Sequence, residues 1–195
     1  MSAYQISDQE LVNNYLNGNH SSFEILINRH QGRVFSYILM LVKDRQLADD
    51  IFQDTFIKII RTLKSGAYKE EGKFIQWAMR IAHNLIIDHF RKSKRLPTID
   101  SQFDDVSVVR QLNQADPSVE ELMITEQIHD DLRKMINFLP EEQREVLYLR
   151  LYSEMSFKDI AELTGVSINT ALGRMRYALI NMRKMAKDHN VVLTV

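Results

Sequence analysis

The sequence predicts an all-α protein with two small helical domains joined by a flexible acidic linker, the C-terminal one a helix-turn-helix. Apolar residues recur at spacings of three and four through most of the chain, and no strand-like alternation stands out. The 195 residues, 45% of them hydrophobic and 26% charged, are enough for two such domains. We expect the domains to cover residues 1–93 and 119–190, with residues 94–118 as the linker.

Composition excludes several classes of function. The chain has no cysteine, which excludes disulfides, thiolate metal sites and a cysteine nucleophile. Its six histidines form no H-x-x-x-H pair, and neither a Walker loop nor a Gly-x-Ser-x-Gly pattern appears. No signal peptide opens the sequence, and its apolar runs fall short of the roughly 20 residues that span a bilayer. We therefore expect a cytoplasmic protein that is not an enzyme, with no cofactor, metal, small-molecule substrate or membrane insertion.

Charge is unevenly distributed along a chain whose formal net charge is only −1. Residues 73–95 carry six basic residues and one acid, a net charge of +5. Residues 96–126 carry a net charge of −6, and residues 157–190 a net charge of +3. Two basic blocks on either side of an acidic stretch favour a polyanionic partner.

Capping signals divide the first domain into four helices. The third has the clearest apolar stripe, which runs from Leu47 to Leu63 and predicts one buried face. A polar loop over residues 64–72 precedes a fourth helix over residues 73–91. The boundary signals, in chain order, are Ser7 with Glu10, Gly18, Ser21 with Glu24, Asp44, and Gly66.

The second domain opens with a predicted helix over residues 119–138. Pro140 suits the first turn of the next helix, and the acids at positions 141 and 142 complement the positive end of its dipole. Apolar residues between Val146 and Tyr152 supply the buried face of that helix. The pattern predicts a short helical domain that ends in the motif described next.

The stretch from Ser156 to Thr170 is typical of a helix-turn-helix. Ser156 opens a helix, the small Ala161 permits close approach of a crossing helix, and Gly165 suits a turn with positive φ. Ser167 then caps a second helix that carries several Arg and Lys residues. In this motif the second helix lies in the major groove with its N-terminal residues toward the base edges. The residues so placed are Ser167, Asn169, Thr170, Gly173 and Arg174.

Four segments together resemble the extracytoplasmic-function sigma factors of bacterial RNA polymerase. Residues 47–60, LADDIFQDTFIKII, look like the polymerase-binding helix of that family. Residues 74–92, FIQWAMRIAHNLIIDHFRK, look like its promoter-melting and −10 helix. Residues 139–146 and 157–184 look like its C-terminal helix-turn-helix domain. Their order and spacing imply an initiation factor that binds core polymerase and recognises the −10 and −35 promoter elements.

The resemblance assigns roles to three sets of residues in this sequence. It also implies capture of an extruded base beside the loop over residues 64–72, with Trp77 either a wedge or a core residue. The polymerase-binding set is Asp49, Asp50, Gln53, Asp54 and Phe56. The −10 set is Lys73, Gln76, Trp77, Arg80, His83, Asn84, Arg91 and Lys92. The −35 set is Ser167, Asn169, Thr170, Gly173, Arg174, Arg176 and Tyr177.

The sequence departs from the family pattern at two positions of the recognition helix. Leu172 and Gly173 stand where many relatives carry a basic residue and a serine, so the phosphate contact that the resemblance implies at this position is left open. The resemblance also implies that the linker threads toward the active-centre cleft of polymerase. As partners it implies core RNA polymerase, promoter DNA and an anti-sigma factor.

Two other functions stay open on the residues alone. The first is a free-standing helix-turn-helix transcriptional regulator that binds a palindromic operator as a dimer without polymerase. The exposed set Asp50, Gln53 and Asp54 and the basic fourth helix argue against it, because neither has a role in a ligand pocket. The second is a helical adaptor with no affinity for nucleic acid.

Overall fold

The structure, a computed structural model, describes residues 6–69, 71–93, 132 and 134–188. The described residues include no strand, and the all-α prediction is confirmed. The chain divides into two compact units, residues 1–108 and 109–195. The helices are α1 (Asp8–Leu16), α2 (His20–Val42), α3 (Arg45–Lys64), α4 (Phe74–Ser93), α5 (Glu141–Tyr152), α6 (Phe157–Thr164) and α7 (Ile168–Asp188).

Helix α2 is central to the first unit. It packs against α1, α3 and α4, and α3 also packs against α4. Burial of one large apolar side chain stabilises a fold by about 1.5–3 kcal/mol, so this shared core holds the four helices together. Its largest fully buried side chains are Leu11, Leu26, Tyr37, Ile38, Ile59, Leu63, Phe74, Met79 and Ile86.

Predicted helix starts in the first unit are right at two positions and wrong at one. Ser7 and Glu10 form a reciprocal capping box on α1, and the Asp44 side chain accepts from the backbone N–H of Leu47 at 2.8 Å. The predicted cap at Ser21 is wrong. The N-cap of α2 lies two residues earlier, at Asn19, whose side chain makes no capping bond. The chain turns into α2 directly after Gly18, whose φ is 97°, so the helical backbone is in place before Ser21.

The connection between α2 and α3 is two residues long. Lys43 adopts the left-handed conformation with φ 55°, and its N–H donates to the carbonyl of Leu39. Asp44 follows in extended conformation as the N-cap of α3. The end of one helix and the start of the next are thus fixed by adjacent residues.

The second unit has its own small core. Leu139, Leu147 and Ala178 are buried together, and Met175, Met182 and Met185 of α7 pack against them. Helix α7 packs against both α5 and α6. Residues 134–138 are helical and precede Pro140, so the end of the helix predicted over residues 119–138 lies in the described part. Residues 119–131 and the predicted linker over residues 94–118 lie outside it.

Candidate nucleic-acid interface

The helix-turn-helix of the second unit begins at a side-chain cap. Ser156 Oγ accepts from the backbone N–H of Asp159 at 3.1 Å and donates to the Asp159 carboxylate at 2.6 Å. Ile160 and Ala161 are the buried residues of α6. The Arg150 guanidinium lies over the ring of Phe157 at 5.2 Å and donates to the carbonyl of Met155 at 2.8 Å. These contacts fix α6 against the end of α5.

The turn depends on one glycine. Gly165 adopts φ 68° and ψ 31°, and its N–H donates to the carbonyl of Ala161. The N–H of Val166 donates to the same carbonyl at 3.0 Å. Residues with a side chain rarely adopt this left-handed conformation. The turn with positive φ that the sequence predicts at Gly165 is therefore present. The turn brings the chain directly to Ser167, whose Oγ accepts from the N–H of Thr170 at 3.0 Å.

Helix α7 has one buried face and one exposed face. Ala171, Met175, Ala178 and Met182 follow one another at spacings of three and four toward the core. The opposite side leaves large side chains in solvent, with Leu172 43% and Tyr177 60% exposed. The first turns of α7 therefore present side chains that no other element of the described unit covers.

The −35 set lies on this exposed side. Gly173 and Arg174 are half-buried, and the other members are exposed: Ser167, Asn169, Thr170, Arg176 and Tyr177. A Cβ built at Gly173 meets no heavy atom within 4 Å, so the glycine leaves an open gap on the surface. Asn and Arg are the side chains that pair bidentately with adenine and guanine in the major groove. The geometry can deliver several such groups to one groove.

A second basic surface lies along α4 of the first unit. Lys73, Asn84, Arg91 and Lys92 are exposed, and Gln76, Trp77 and Arg80 are half-buried. Arg91 pairs with the exposed carboxylate of Asp88 at 2.9 Å, one turn earlier on the same helix. Exposed pairs of this kind are weak, so Arg91 can exchange Asp88 for a phosphate.

His83, which the resemblance assigns to the −10 set, does not lie on this exposed surface. Its side chain is buried, and its Nδ1 lies 2.8 Å from the hydroxyl oxygen of Tyr37, which is fully buried. His83 lies one turn after Met79 and one turn before Ile86, on the apolar side of α4. A polar residue on that side is tolerated because its ring nitrogen has a hydrogen-bond partner.

Trp77 belongs to an aromatic cluster that the sequence did not reveal. Its ring lies 4.1 Å from that of Tyr68 and 5.8 Å from that of Phe74, measured between centroids. Tyr68 lies in the polar loop before α4 and is half-buried, as is Trp77, whereas Phe74 is only 1% exposed. An aromatic residue within an otherwise polar loop was the available signal for Tyr68. The cluster gives the N-terminal end of α4 a partly exposed stacking surface.

The acidic side of α3 carries most of the predicted polymerase-binding set. Asp49, Asp50, Gln53 and Asp54 are all exposed. Phe56, the fifth member of the predicted set, is only 7% exposed and lies on the apolar stripe. Its ring instead supports the half-buried Phe52, with centroids 4.8 Å apart.

Neither a metal centre nor a membrane span emerges in the part of the chain that the structure describes. Three or more His, Asp or Glu side chains are nowhere grouped there so as to hold a metal ion. Of the helices described, none combines the length and apolarity that crossing a bilayer requires. The recognisable features are the two basic surfaces and the acidic side of α3.

Comparison with known protein families gives two matches, in the order that the sequence suggests. Residues 26–96 match Sigma-70 region 2, and residues 129–176 match Sigma-70, region 4. The RNA polymerase sigma-H factor of Pseudomonas aeruginosa is 30% identical over 175 residues, which is 88% of this chain and 89% of that protein. The ECF RNA polymerase sigma-E factor of Haemophilus influenzae is 28% identical over 177 residues, covering 89% of this chain and 92% of its own.

Two solved structures share the fold. The sigma factor RpoE from Bartonella quintana, solved with the anti-sigma factor NepR, gives a TM-score of 0.58 at 20% identity. That match covers 85% of this chain and 96% of RpoE. CnrH, solved with the cytosolic domain of CnrY, gives a TM-score of 0.56 at 22% identity over 94% of this chain and 99% of its own. Both likenesses concern the fold alone.

Proposed function

The chain belongs to the extracytoplasmic-function (ECF) family of RNA polymerase sigma factors, and from this premise we propose that it binds core RNA polymerase and directs promoter-specific initiation. One observation carries the proposal. The chain places an exposed helix-turn-helix face in one unit and a basic, aromatic helix beside an acidic helix in the other. The first domain of a ligand-binding regulator would enclose a pocket, and a basic, aromatic helix beside an acidic helix would serve no purpose there.

Polymerase binding is assigned to the acidic side of α3. Asp49, Asp50, Gln53 and Asp54 project from a helix that is held on its other side by the core of the first unit. Charged groups at the rim of an interface steer association and fix orientation. We expect a complementary basic surface on the largest polymerase subunits to dock there.

Recognition and melting of the −10 element are assigned to α4. Lys73, Arg91 and Lys92 are exposed cations that can contact phosphates, and the half-buried Trp77 can stack on an unpaired base. Extrusion of a base costs a few kcal/mol of unstacking. Contacts made only with the opened strand offset that cost, so the factor acts by binding and performs no catalysis of its own.

Recognition of the −35 element is assigned to the exposed side of α7. Asn169 and Thr170 lie in its first turn, where a recognition helix meets base edges. Arg174 and Arg176 follow as cations within reach of bases or phosphates. Leu172 is exposed on the same helix and supplies an apolar contact in place of a basic one.

The proposal includes a cytoplasmic inhibitor protein. RpoE and CnrH, which share this fold, were solved in complex with the anti-sigma factor NepR and the cytosolic domain of CnrY, respectively. Here, Leu151 and Tyr177 of the second unit and Ile87 of the first are exposed apolar residues. We infer that an anti-sigma factor covers such residues and keeps the protein from polymerase until a signal releases it.

A pull-down with bacterial core RNA polymerase tests the proposal. The wild-type protein is compared with the triple variant Asp50→Ala, Gln53→Ala, Asp54→Ala. A matched control replaces Gln9, Glu24 and Glu71 with Ala, because these residues are also exposed in the first unit and the change in charge is the same. We expect core binding by wild type and control and its loss in the α3 variant.

The alternative function gives a different result. A free-standing helix-turn-helix regulator would leave core polymerase unbound in every variant and would bind a palindromic DNA site without it. That outcome removes the sigma-factor proposal. Binding of core by the α3 variant at wild-type strength removes only the assignment of α3.

A further inference from the structure

A buried histidine connects α1 to the aromatic cluster at the start of α4. His30 on α2 is only 4% exposed, and its Nε2 lies 2.6 Å from Oδ2 of Asp8, in the first turn of α1. The other carboxylate oxygen of Asp8 accepts from Arg29, which also donates to the carbonyl of Ile6 at 2.8 Å. The carboxylate of Asp8 is thus held from two directions.

The other side of the His30 ring faces Phe74. The two ring centroids lie 5.6 Å apart with planes tilted by 40°. Phe74 in turn contacts the rings of Trp77 and Tyr68, at centroid distances of 5.8 and 6.4 Å. Phe74 is therefore the buried member of the cluster, and it contacts both His30 and the partly exposed pair Tyr68 and Trp77.

The contacts of His30 are unequal at its two ring nitrogens. Nε2 bonds to Asp8, whereas Nδ1 is buried and has no hydrogen-bond partner in the described part of the chain. The orientation of this buried ring is thus restrained by one hydrogen bond together with the side chains packed around it. The bond from Asp8 therefore restrains the His30 ring from a different helix, α1.

We propose that His30 is a positioning residue, fixed by Asp8, that holds Phe74 and through it Trp77 and Tyr68 in the arrangement that receives an unpaired promoter base. The inference rests on the proposed function for the part that concerns DNA. It gives α1 a role beyond packing, because the tie between Asp8 and His30 reaches the melting surface from the N-terminal helix.

Trp77 provides the measurement, because it is the only tryptophan of the chain. Its emission and its quenching by acrylamide report on the stack with Tyr68 in the folded protein. The variants are Asp8→Ala, His30→Ala and His30→Phe, each measured well below its own unfolding midpoint. His20→Gln is the matched control, since His20 is an exposed histidine of α2 whose ring contact is with Tyr15 instead.

The expected result is greater quenching of Trp77 in both Asp8→Ala and His30→Ala, with wild-type quenching in the control. A double variant with both Asp8→Ala and His30→Ala should show little more quenching than either single variant, because each substitution removes the same hydrogen bond. His30→Phe retains a ring against Phe74 and is expected to recover part of the protection. Wild-type quenching in folded Asp8→Ala would overturn the inference, since a merely structural tie lowers stability without altering the Trp77 environment.

The DNA arm uses the holoenzyme and a promoter fragment selected with wild-type protein, and follows permanganate reactivity of thymines in the −10 segment. We expect Asp8→Ala and His30→Ala to lower the permanganate reactivity. Complete loss of stacking on one base weakens binding to an unpaired strand by about 5- to 150-fold, and the two variants should lose no more than that. If a variant shows raised quenching of Trp77 but wild-type opening of the −10 segment, only the role of the cluster in receiving a promoter base is overturned. Failure of the wild type to form a holoenzyme overturns the proposed function, while the quenching data still decide the positioning of the cluster.

Discussion

The hydroxyl oxygen of Tyr37 lies 2.8 Å from Nδ1 of His83, and this bond joins α2 to α4 inside the first unit. Tyr37 is fully buried and His83 is 8% exposed. The two residues are 46 positions apart in sequence, and their ring centroids lie 6.5 Å apart. The pair is a buried polar link between these two helices.

Tyr37→Phe should destabilise the first unit without weakening promoter binding. The substitution keeps the ring but takes the Tyr37 hydroxyl away from the buried His83 ring nitrogen, so we expect a loss of about 1–3 kcal/mol in the free energy of unfolding. Urea unfolding followed by circular dichroism measures it. Promoter affinity of the holoenzyme, measured well below the unfolding midpoint, should stay at the wild-type value. A specific loss of −10 affinity would restore a DNA role to His83.

Acid should weaken the attachment of α1. Burial acts to raise the pKa of Asp8, but hydrogen bonds and charges from His30 and Arg29 outweigh it and bring the pKa below the usual 3.8. A carboxyl whose pKa is depressed by folding stabilises the fold above about pH 4, and the contribution is lost as the pH falls through the folded-state pKa. Asp8→Asn removes this titration.

The measurement is the free energy of unfolding between pH 2 and 6 for wild type, Asp8→Asn and the exposed control Glu24→Gln. Below about pH 4, the wild-type curve should fall more steeply than that of Asp8→Asn, by at most about 1.4 kcal/mol per pH unit for one proton. The control should keep the wild-type slope. Parallel curves for wild type and Asp8→Asn would mean that the carboxyl has the same pKa folded and unfolded.

Two glycines of the second unit should respond to alanine with opposite signs. A Cβ meets nothing within 4 Å at either Gly165 or Gly173, but Gly165 has φ 68° whereas Gly173 lies within α7. Gly165→Ala should cost about 1–2 kcal/mol of stability because an L side chain disfavours the left-handed region. Gly173→Ala should stabilise by about 0.5–1 kcal/mol because it lowers the entropy cost of the helix. Thermal unfolding of the two variants checks both signs, and equal signs would contradict the assigned turn geometry.

Arg176→Gln should weaken promoter binding in a salt-dependent way. Arg176 is exposed on α7, where a guanidinium can neutralise a phosphate. We expect the dependence of log affinity on log salt to lose about one unit of slope, similarly for all promoter sequences. Lys187→Gln, at the far end of the same helix, makes the same change in charge and should have a smaller effect. Equal effects would indicate a general electrostatic attraction rather than a contact at this position.

The caps and the helix-turn-helix could be predicted because their determinants are local. Ser7, Asp44, Ser156 and Ser167 each act within three residues of themselves. The N-cap of α2 was predicted two residues late, because Ser21 and Glu24 resemble a capping box where the backbone is already helical. The end of α2 gave no signal, since Lys43 takes a left-handed conformation that a sequence reader expects of glycine.

Candidate site residues could be predicted from the sequence where a polar side chain is also exposed. They could not be predicted where a polar side chain is buried or an aromatic one lies in a loop. Asp50 and Asn169 are polar and exposed, as the sequence suggested. His83 is polar but buried, because a tyrosine on another helix satisfies it. Tyr68 is aromatic but lies in a loop, and its pairing with Trp77 across nine residues follows from the path of that loop. Such partners are set by tertiary structure, which no local pattern records.

The short connection between α2 and α3 has a mechanical consequence. Lys43 terminates one helix and Asp44 caps the next, so the joint contains no backbone left over to serve as a hinge. The direction of α3 relative to α2 is therefore set by the backbone of these two residues. A partner that binds the acidic side of α3 therefore also acts on α2. His30 and Tyr37 of α2 contact residues of α4. Under the proposed function, a load that polymerase places on α3 would reach α4 through the packing of both α2 and α3 against it.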